Sequence, residues 1–513
     1  MAVICMCVFA CNRATNILAL PLGLFLKISG TSERVLQLLS NMGLTVSSST
    51  VERLKECMSE DAVQLAIQLI TGPSLFFIIF DNINIYLRKF QERVSNRNSM
   101  IHATNVAVIG ISEGDKEKVE DLDAFLAKRG DRIRATFADV RPTKEDGEHM
   151  RQAFECIIAE FLGHYAPGSK SWSRRTEMLE KITKSMPRNR PLEPEVSDTR
   201  PTGVFNVNEG SKKGIIQVID QLQSKSMLTE EEWSSKVRMM QGDWLTSNNL
   251  RTARRERKDN VSVMTRMENV VQLSALWHFA LNATHMIVRT HFRNAISDPA
   301  SLSAHKGLLR RTWDANKPNY AAAKALICHS LIARLLRCVM IVDKFTQVDR
   351  ARTAQKAGDD WLAHEIYFMR DALLFFVFED AVSMADAGVM LRVLKFWALS
   401  FRGASQHNYA RECVEILLQW KYELPDALRK ALERSWFVNR WGRPGRWIAA
   451  DLYLEQCNFW VKVSNRKQHA RRLPDRTGTA RLHCVWKRCH YRIYHEEGVS
   501  MCRSLSRHQP SHG

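Results

Sequence analysis

Apolar residues change their spacing twice along this chain, from helical to strand-like and back, and these changes divide it into regions. Over residues 31–70, Val35, Leu36, Leu38 and Leu39 recur at helical spacing, Gly43 offers a helix stop, and Ser47 to Thr50 offer caps. Two helices around a tight connection are expected there, either a plain hairpin or a DNA-reading helix-turn-helix. The apolar run from Leu75 to Phe80 predicts a buried strand that ends at Asp81. Residues 101–111 predict a second strand of the same sheet, alternating through Thr104, Val106 and Val108. A basic link with Arg88, Lys89, Arg93 and Arg97 joins the two.

From residue 113 the character changes. Charged helical segments at 116–128 and 148–161 lead into a Pro-, Ser- and Arg-rich stretch at 167–203, read as a linker or insertion. Order resumes at Val204, residues 214–222 read as a helix, and Val237-Arg238-Met239-Met240 reads as a strand leading to Asp243. Beyond Thr246 the three-to-four spacing recurs over 267–292, 321–345, 361–382, 389–401, 409–424 and 428–437, which predicts helices. The expected class is α/β, a small sheet core with a large, mostly helical remainder. Its parts are a helical segment at 1–74, a core from 75–112 and 204–463, the insertion at 113–203, and a tail at 464–513. The tail is basic and lacks any period. It reads as a disordered arm, as a metal module on Cys484, Cys489, His490 and His495, or as out-of-frame translation.

Charge narrows the partners. The formal net charge of +19 and pI near 9.5 favour a polyanion, nucleic acid above all, over a merely solvated basic surface. Twelve cysteines at irregular spacing, with no CxxC pair, read as reduced thiols of an intracellular protein. The apolar run at 17–26 contains Pro21 and is too short to cross a bilayer, and the N-terminus lacks the flanks of a secretory signal. No P-loop, GxGxxG after a strand, HExxH or GxSxG is present, which argues against the enzyme classes those motifs serve.

Two acids follow apolar runs: Asp81, and Asp243 in Gly242-Asp243-Trp244-Leu245-Thr246. Phosphoryl transfer with metal ions needs converging carboxylates, and these two fit the first positions. Each fits equally well as a cap on the element that follows. A third acid is either Glu379, at the end of a helix, or Asp386, in the turn before the next; both also read as solvated helix-end charges. Arg251, Arg254, Arg255, Arg257 and Lys258 follow Asp243 and suit phosphate contact or a solvated helix face. His278 and His285 are two turns apart on one expected helix, positioned for DNA or a metal-bound water, or simply satisfied by a neighbour. Asp451, Glu455 and Asn458 share a helical face, as a second polar constellation or a packing device.

Five pieces in order carry a resemblance. They are Asp81-Asn82-Ile83-Asn84, Gly242-Asp243-Trp244-Leu245-Thr246, Asn408-Tyr409-Ala410, Val438-Asn439 with Gly442-Arg443-Pro444-Gly445, and Asp451-Leu452 with Glu455 and Asn458. Through them the chain resembles an uncharacterised domain family, abundant in mushroom-forming fungi, that is related to mobile elements. That family usually has Gln where Trp244 stands here. The resemblance implies a ribonuclease H-like sheet core of the transposase type, in which acids from separated strands and a helix bind divalent metal. It implies Mg²⁺ or Mn²⁺ on Asp81 and Asp243, with Glu379 or Asp386 as third acid, DNA as partner, and a nuclear location. The alternative is a non-catalytic relative that only binds nucleic acid or another protein.

Overall fold

The structure is a computed structural model that describes residues 2–87, 97–316, 318–339 and 353–468. Arg88, Lys89 and Arg93 of the basic link lie outside the described residues, as do Cys484, Cys489, His490 and His495 of the tail.

A five-stranded mixed sheet in the order β3-β2-β1-β4-β5 forms the centre. Its strands are β1 (Leu75–Leu87), β2 (Ser99–Ile111), β3 (Thr199–Phe205), β4 (Arg238–Gly242) and β5 (Val270–Ser274). β2 runs antiparallel to β1 and β3, whereas β4 runs parallel to both β1 and β5. The α/β class expected from the sequence is the one observed. Both faces of the sheet are covered, and the period of two along β1 divides its side chains between two cores. Leu75, Phe77, Ile79, Ile83 and Ile85 enter the larger core, while Phe76, Ile78 and Phe80 enter the smaller one.

The helices that position the site are α1 (Ser48–Thr71), α2 (Lys144–Tyr165), α3 (Lys212–Ser226), α4 (Trp244–Glu256), α5 (Trp277–His291), α6 (Tyr320–Val339), α7 (Asp360–Ser383), α8 (Ala387–Gly403), α9 (His407–Leu418) and α10 (Ala450–Gln468). α1 begins where expected, with Ser47 Oγ accepting from the Thr50 amide at 3.2 Å, and it packs on the sheet. α7 is buried around most of its circumference, including Phe368, Phe375 and Phe378, and is the central helix of the larger core.

Three local expectations are corrected. β1 does not end at Phe80: the alternation Asn82, Ile83, Asn84, Ile85 continues it, so Asp81 lies in mid-strand opposite Asn105. Residues 267–292 are not one helix, because Val270–Ser274 forms β5 before α5 starts at Trp277. β5 is buried at every position, and a fully buried strand carries no alternation to tell it from a buried helix. The stretch at 167–203 contains the helix Arg175–Ser185 and the first residues of β3. Its extended part is fixed by backbone hydrogen bonds, from the Ser197 amide to the Asn439 carbonyl (2.9 Å) and from the Gly110 amide to the Asp198 carbonyl (2.8 Å). Such anchoring leaves no apolar period to read.

Candidate functional site

Asp81 sits at an odd position of β1, on the side of the sheet where α10 packs, and is 9% exposed. Its neighbours on that side are polar. Asn105 Nδ2 donates to Asn458 Oδ1 at 2.9 Å, and Asn458 Nδ2 donates to Asp81 Oδ2 at 2.9 Å. One more turn back along α10, Glu455 lies beside the Asp81 carboxyl. Burial pushes the Asp81 carboxyl well above the usual range, the charges of Glu455 and Glu209 and the Glu455 hydrogen bond add to this, and His278 opposes it.

Asp243 arrives from the adjacent strand. Ile79 pairs with Gln241 in the parallel register of β1 and β4, so Asp81 and Asp243 stand at matching positions two residues further on. Adjacent strands are about 5 Å apart. Asp243 caps α4, its Oδ1 accepting from the Thr246 amide at 2.7 Å. The cap is tight enough that a Cβ on Gly242 would lie 2.4 Å from Thr246 Cγ2, which explains glycine there. Beside it, Glu209 in the loop before α3 is 3% exposed. It accepts from the Asn82 amide, and its Oε2 is buried without a hydrogen-bond partner among the described residues. Burial and the charge of Asp243 raise the Glu209 carboxyl well above its ordinary value.

The cationic partner is His278. Asp451 on α10 stands at the N-terminus of α5, accepting from the amides of Trp277 (3.0 Å) and His278 (3.1 Å) and contacting His278 Nδ1 at 3.0 Å. Burial works against a charged ring, but the Asp451 hydrogen bond and the charges of Asp451, Asp81 and Asp243 outweigh it and lift the imidazole to about 9. Tyr409 faces the same group: burial, followed by Asp243 and Asp451, pushes its hydroxyl far up. His278 therefore answers Asp451, Asp81 and Asp243 together, while Glu455 and Glu209 add negative charge beside Asp81.

An all-oxygen donor set suits a hard divalent cation, and the orphaned Glu209 Oε2 and the adjacent Asp81 and Glu455 carboxyls are groups that such a cation would satisfy. The acids meet in pairs, however. Among the described residues no three His, Cys, Asp or Glu side chains are grouped to hold one ion as they stand.

The other expected residues lie in varied settings. Glu379 accepts from Tyr320 Oη at 2.8 Å and pairs with Lys324. Asp386 is fully buried as the cap of α8, and it accepts from the amides of Asn189 (2.7 Å), Arg190 (3.0 Å) and Val389 (3.1 Å). It is Glu455, rather than either of these, that touches Asp81. Arg251 is paired with buried Glu412, Arg254 donates to the Met267 carbonyl (3.2 Å) and Gln272 (2.9 Å), and Arg257 to the Thr265 carbonyl (3.3 Å). Arg255 and Lys258 are exposed. His285 contacts the Pro318 carbonyl at 3.3 Å. Glu209 is the site residue that sequence reasoning missed, because a lone acid in an Asn- and Gly-containing loop carries no period or motif. Glu455 did have a signal in its spacing from Asp451 and Asn458, but nothing linked that face to Asp81.

The sequence model of a protein family, described as "Family of unknown function (DUF6589)", matches residues 130–355 and 341–479. The matched region holds Glu209, Asp243, His278, Asp451 and Glu455, while Asp81 precedes it. No curated protein and no solved structure matches the chain. The chain belongs to the family of unknown function (DUF6589).

Proposed function

We propose that this member of the family is a metal-dependent DNA nuclease of the transposase type, derived from a mobile element and acting in the nucleus. The single observation that carries the reading is that matching register brings Asp81 of mid-β1 and Asp243 at the end of β4 side by side, both acting on His278, with Glu455 of α10 beside Asp81. The sheet order, with only β2 running against the rest, is what a ribonuclease H-like core calls for. The charge of +19 suits DNA.

Asp81 and Asp243 would hold Mg²⁺ or Mn²⁺, with Glu455 and Glu209 beside them. Such an ion, when bound, supplies Lewis-acid activation of water and stabilises charge on the leaving oxygen. The chain's own groups do the rest. Asn105 and Asn458 fix the Asp81 carboxyl through their relay. Asp451 holds His278 at Nδ1, which leaves Nε2 as the atom able to present a proton or a positive charge to a phosphate. Half-buried Tyr409 and Trp277 pack on the larger core beside the acids and restrict water there.

A second reading has its own observation: Asp243 and Asp451 both serve helix N-termini, so each has a structural use without catalysis. In that case the protein binds nucleic acid or another protein and cuts nothing. Incubating the full chain with labelled DNA and Mg²⁺ or Mn²⁺, beside Asp243→Asn and Glu455→Gln, separates the two. The nuclease reading expects cation-dependent nicking that falls by about 10²-fold or more in both variants. Binding without nicking in any of the three proteins removes it.

A further inference from the structure

We propose that a second site, at the C-terminal end of α4, binds a compact polyphosphate anion: a small molecule with two or more closely spaced phosphates. The inference stands apart from the nuclease reading, since it concerns another cleft and its test reads no cleavage.

The cleft has a volume of about 540 Å³, within the range of small-ligand sites. Eight cationic side chains line it, Arg129, Arg132, Arg251, Arg254, Arg255, Lys258, Arg266 and Arg411, against the two carboxylates Glu268 and Glu415. A helix C-terminus draws cations by itself, which accounts for those at the end of α4. It does not account for Arg129 and Arg132 from the insertion, Arg266 from beyond α4, or Arg411 from α9. Glu412 and Glu423 also pair with Arg251 and Arg132, yet the cations still exceed the acids, and such an excess gathered from four stretches of sequence into one concavity is unfavourable without a further anion.

The inner arginines are already oriented. Arg132 is gripped by Glu415 (2.6 Å) and by both oxygens of Glu423 (2.5 Å each). Arg129 donates to the Glu268 carbonyl at 2.8 Å, and Arg266 to the carbonyls of Asn260 (2.9 Å) and Val261 (2.7 Å). Fixed guanidinium forks lose little freedom when they meet phosphate oxygens. At the rim, Arg255, Lys258 and Arg411 are exposed and make no ion pair or side-chain hydrogen bond among the described residues. A hydrogen-bonded basic floor with exposed cations at the mouth suits a ligand that enters the cleft. A duplex presents a broad convex face and would meet the rim alone.

The probe is inorganic tripolyphosphate, titrated calorimetrically into the full chain, with orthophosphate and a DNA duplex as separate arms. Saturable tripolyphosphate binding is expected, at least about tenfold tighter than orthophosphate. It should weaken by about tenfold or more in the Arg255→Ala, Lys258→Ala, Arg411→Ala triple variant and become less salt-sensitive. Arg411→Glu alone should weaken it in the same direction, which keeps the test decisive if the triple variant melts abnormally. Absence of saturable tripolyphosphate binding overturns the proposal, as does binding that the variants leave unchanged. Duplex binding lost in the variants without any tripolyphosphate binding also overturns it and gives the cleft to nucleic acid.

Discussion

At its first turn α4 starts from Asp243, among carboxylates that outnumber their cationic partner; at its last turn it enters a cleft where guanidinium groups outnumber acids. The two ends handle excess charge differently. In the cleft, the inner cations are held by carboxylates or carbonyls, as with Arg251 on Glu412 and Arg132 on Glu415 and Glu423. At the acid end, the carboxyl groups turn to one another: Glu455 stands beside buried Asp81, and Glu209 keeps an oxygen with no hydrogen-bond partner among the described residues. A paired charge is what a fold uses for its own stability. An unpaired buried charge costs stability and points to something brought from outside.

The largest test of this contrast lies in the cleft. Glu412 is 1% exposed, and it holds Arg251 (2.8 Å) and Ser274 Oγ (2.6 Å). Glu412→Gln should lower unfolding free energy by about 3–5 kcal/mol, because Arg251 would lose its compensating charge. Urea denaturation reads this directly, and a loss below about 1 kcal/mol would mean the pair carries no such weight.

His278 gives the next effect. Its pKa is raised in the fold, to about 9 from 6.5, so its contribution is full below 6.5 and is lost as pH rises through about 9. Across that window wild type should lose stability by roughly 2–3 kcal/mol, most of it absent in His278→Gln. Parallel pH profiles for the two proteins would show that the ring is not charged in the fold.

The smaller effect runs in the opposite direction. Asp81→Asn should raise metal-free stability by about 1 kcal/mol at neutral pH, since it removes a buried acid among acids while Asn458 can still donate to the amide oxygen. The raised Asp81 pKa makes wild-type stability fall as pH climbs above 3.8, and the variant should lack that part of the slope. Destabilisation in metal-free buffer would mean that the Asp81 charge is satisfied within the fold. The smallest effect is at the cleft rim, where Arg255→Ala should change the melting free energy by no more than about 0.5 kcal/mol.

Much of this architecture was legible in the chain. The run at 75–80 and the alternation at 101–111 mark β1 and β2, and the three-to-four spacing after Thr246 marks most of the helices. β5 was hidden because a strand buried on both faces and a helix segment look alike over five residues. β3 was hidden because the Pro- and Arg-rich stretch before it is held by backbone hydrogen bonds. At the site, Asp81 and Asp243 stood out by following apolar runs, and the register of two parallel strands sets them side by side. The helical acid beside them is a matter of tertiary packing. Glu455 reaches Asp81 across hundreds of intervening residues, whereas Glu379 and Asp386, closer in sequence, are engaged by Lys324 and by the amides of Asn189 and Arg190. Periodicity places a residue on a helical face. It does not say which strand that face will meet.

The acid end of α4 is the centre of the account, and a Mn²⁺ titration of the full chain, followed by thermal melting at a pH just above neutrality, tests it most directly. The account predicts a saturable rise in melting temperature for wild type that is absent in the Asp81→Asn, Glu455→Gln double variant. A melting temperature that does not respond to Mn²⁺, or that responds equally in both proteins, would contradict it.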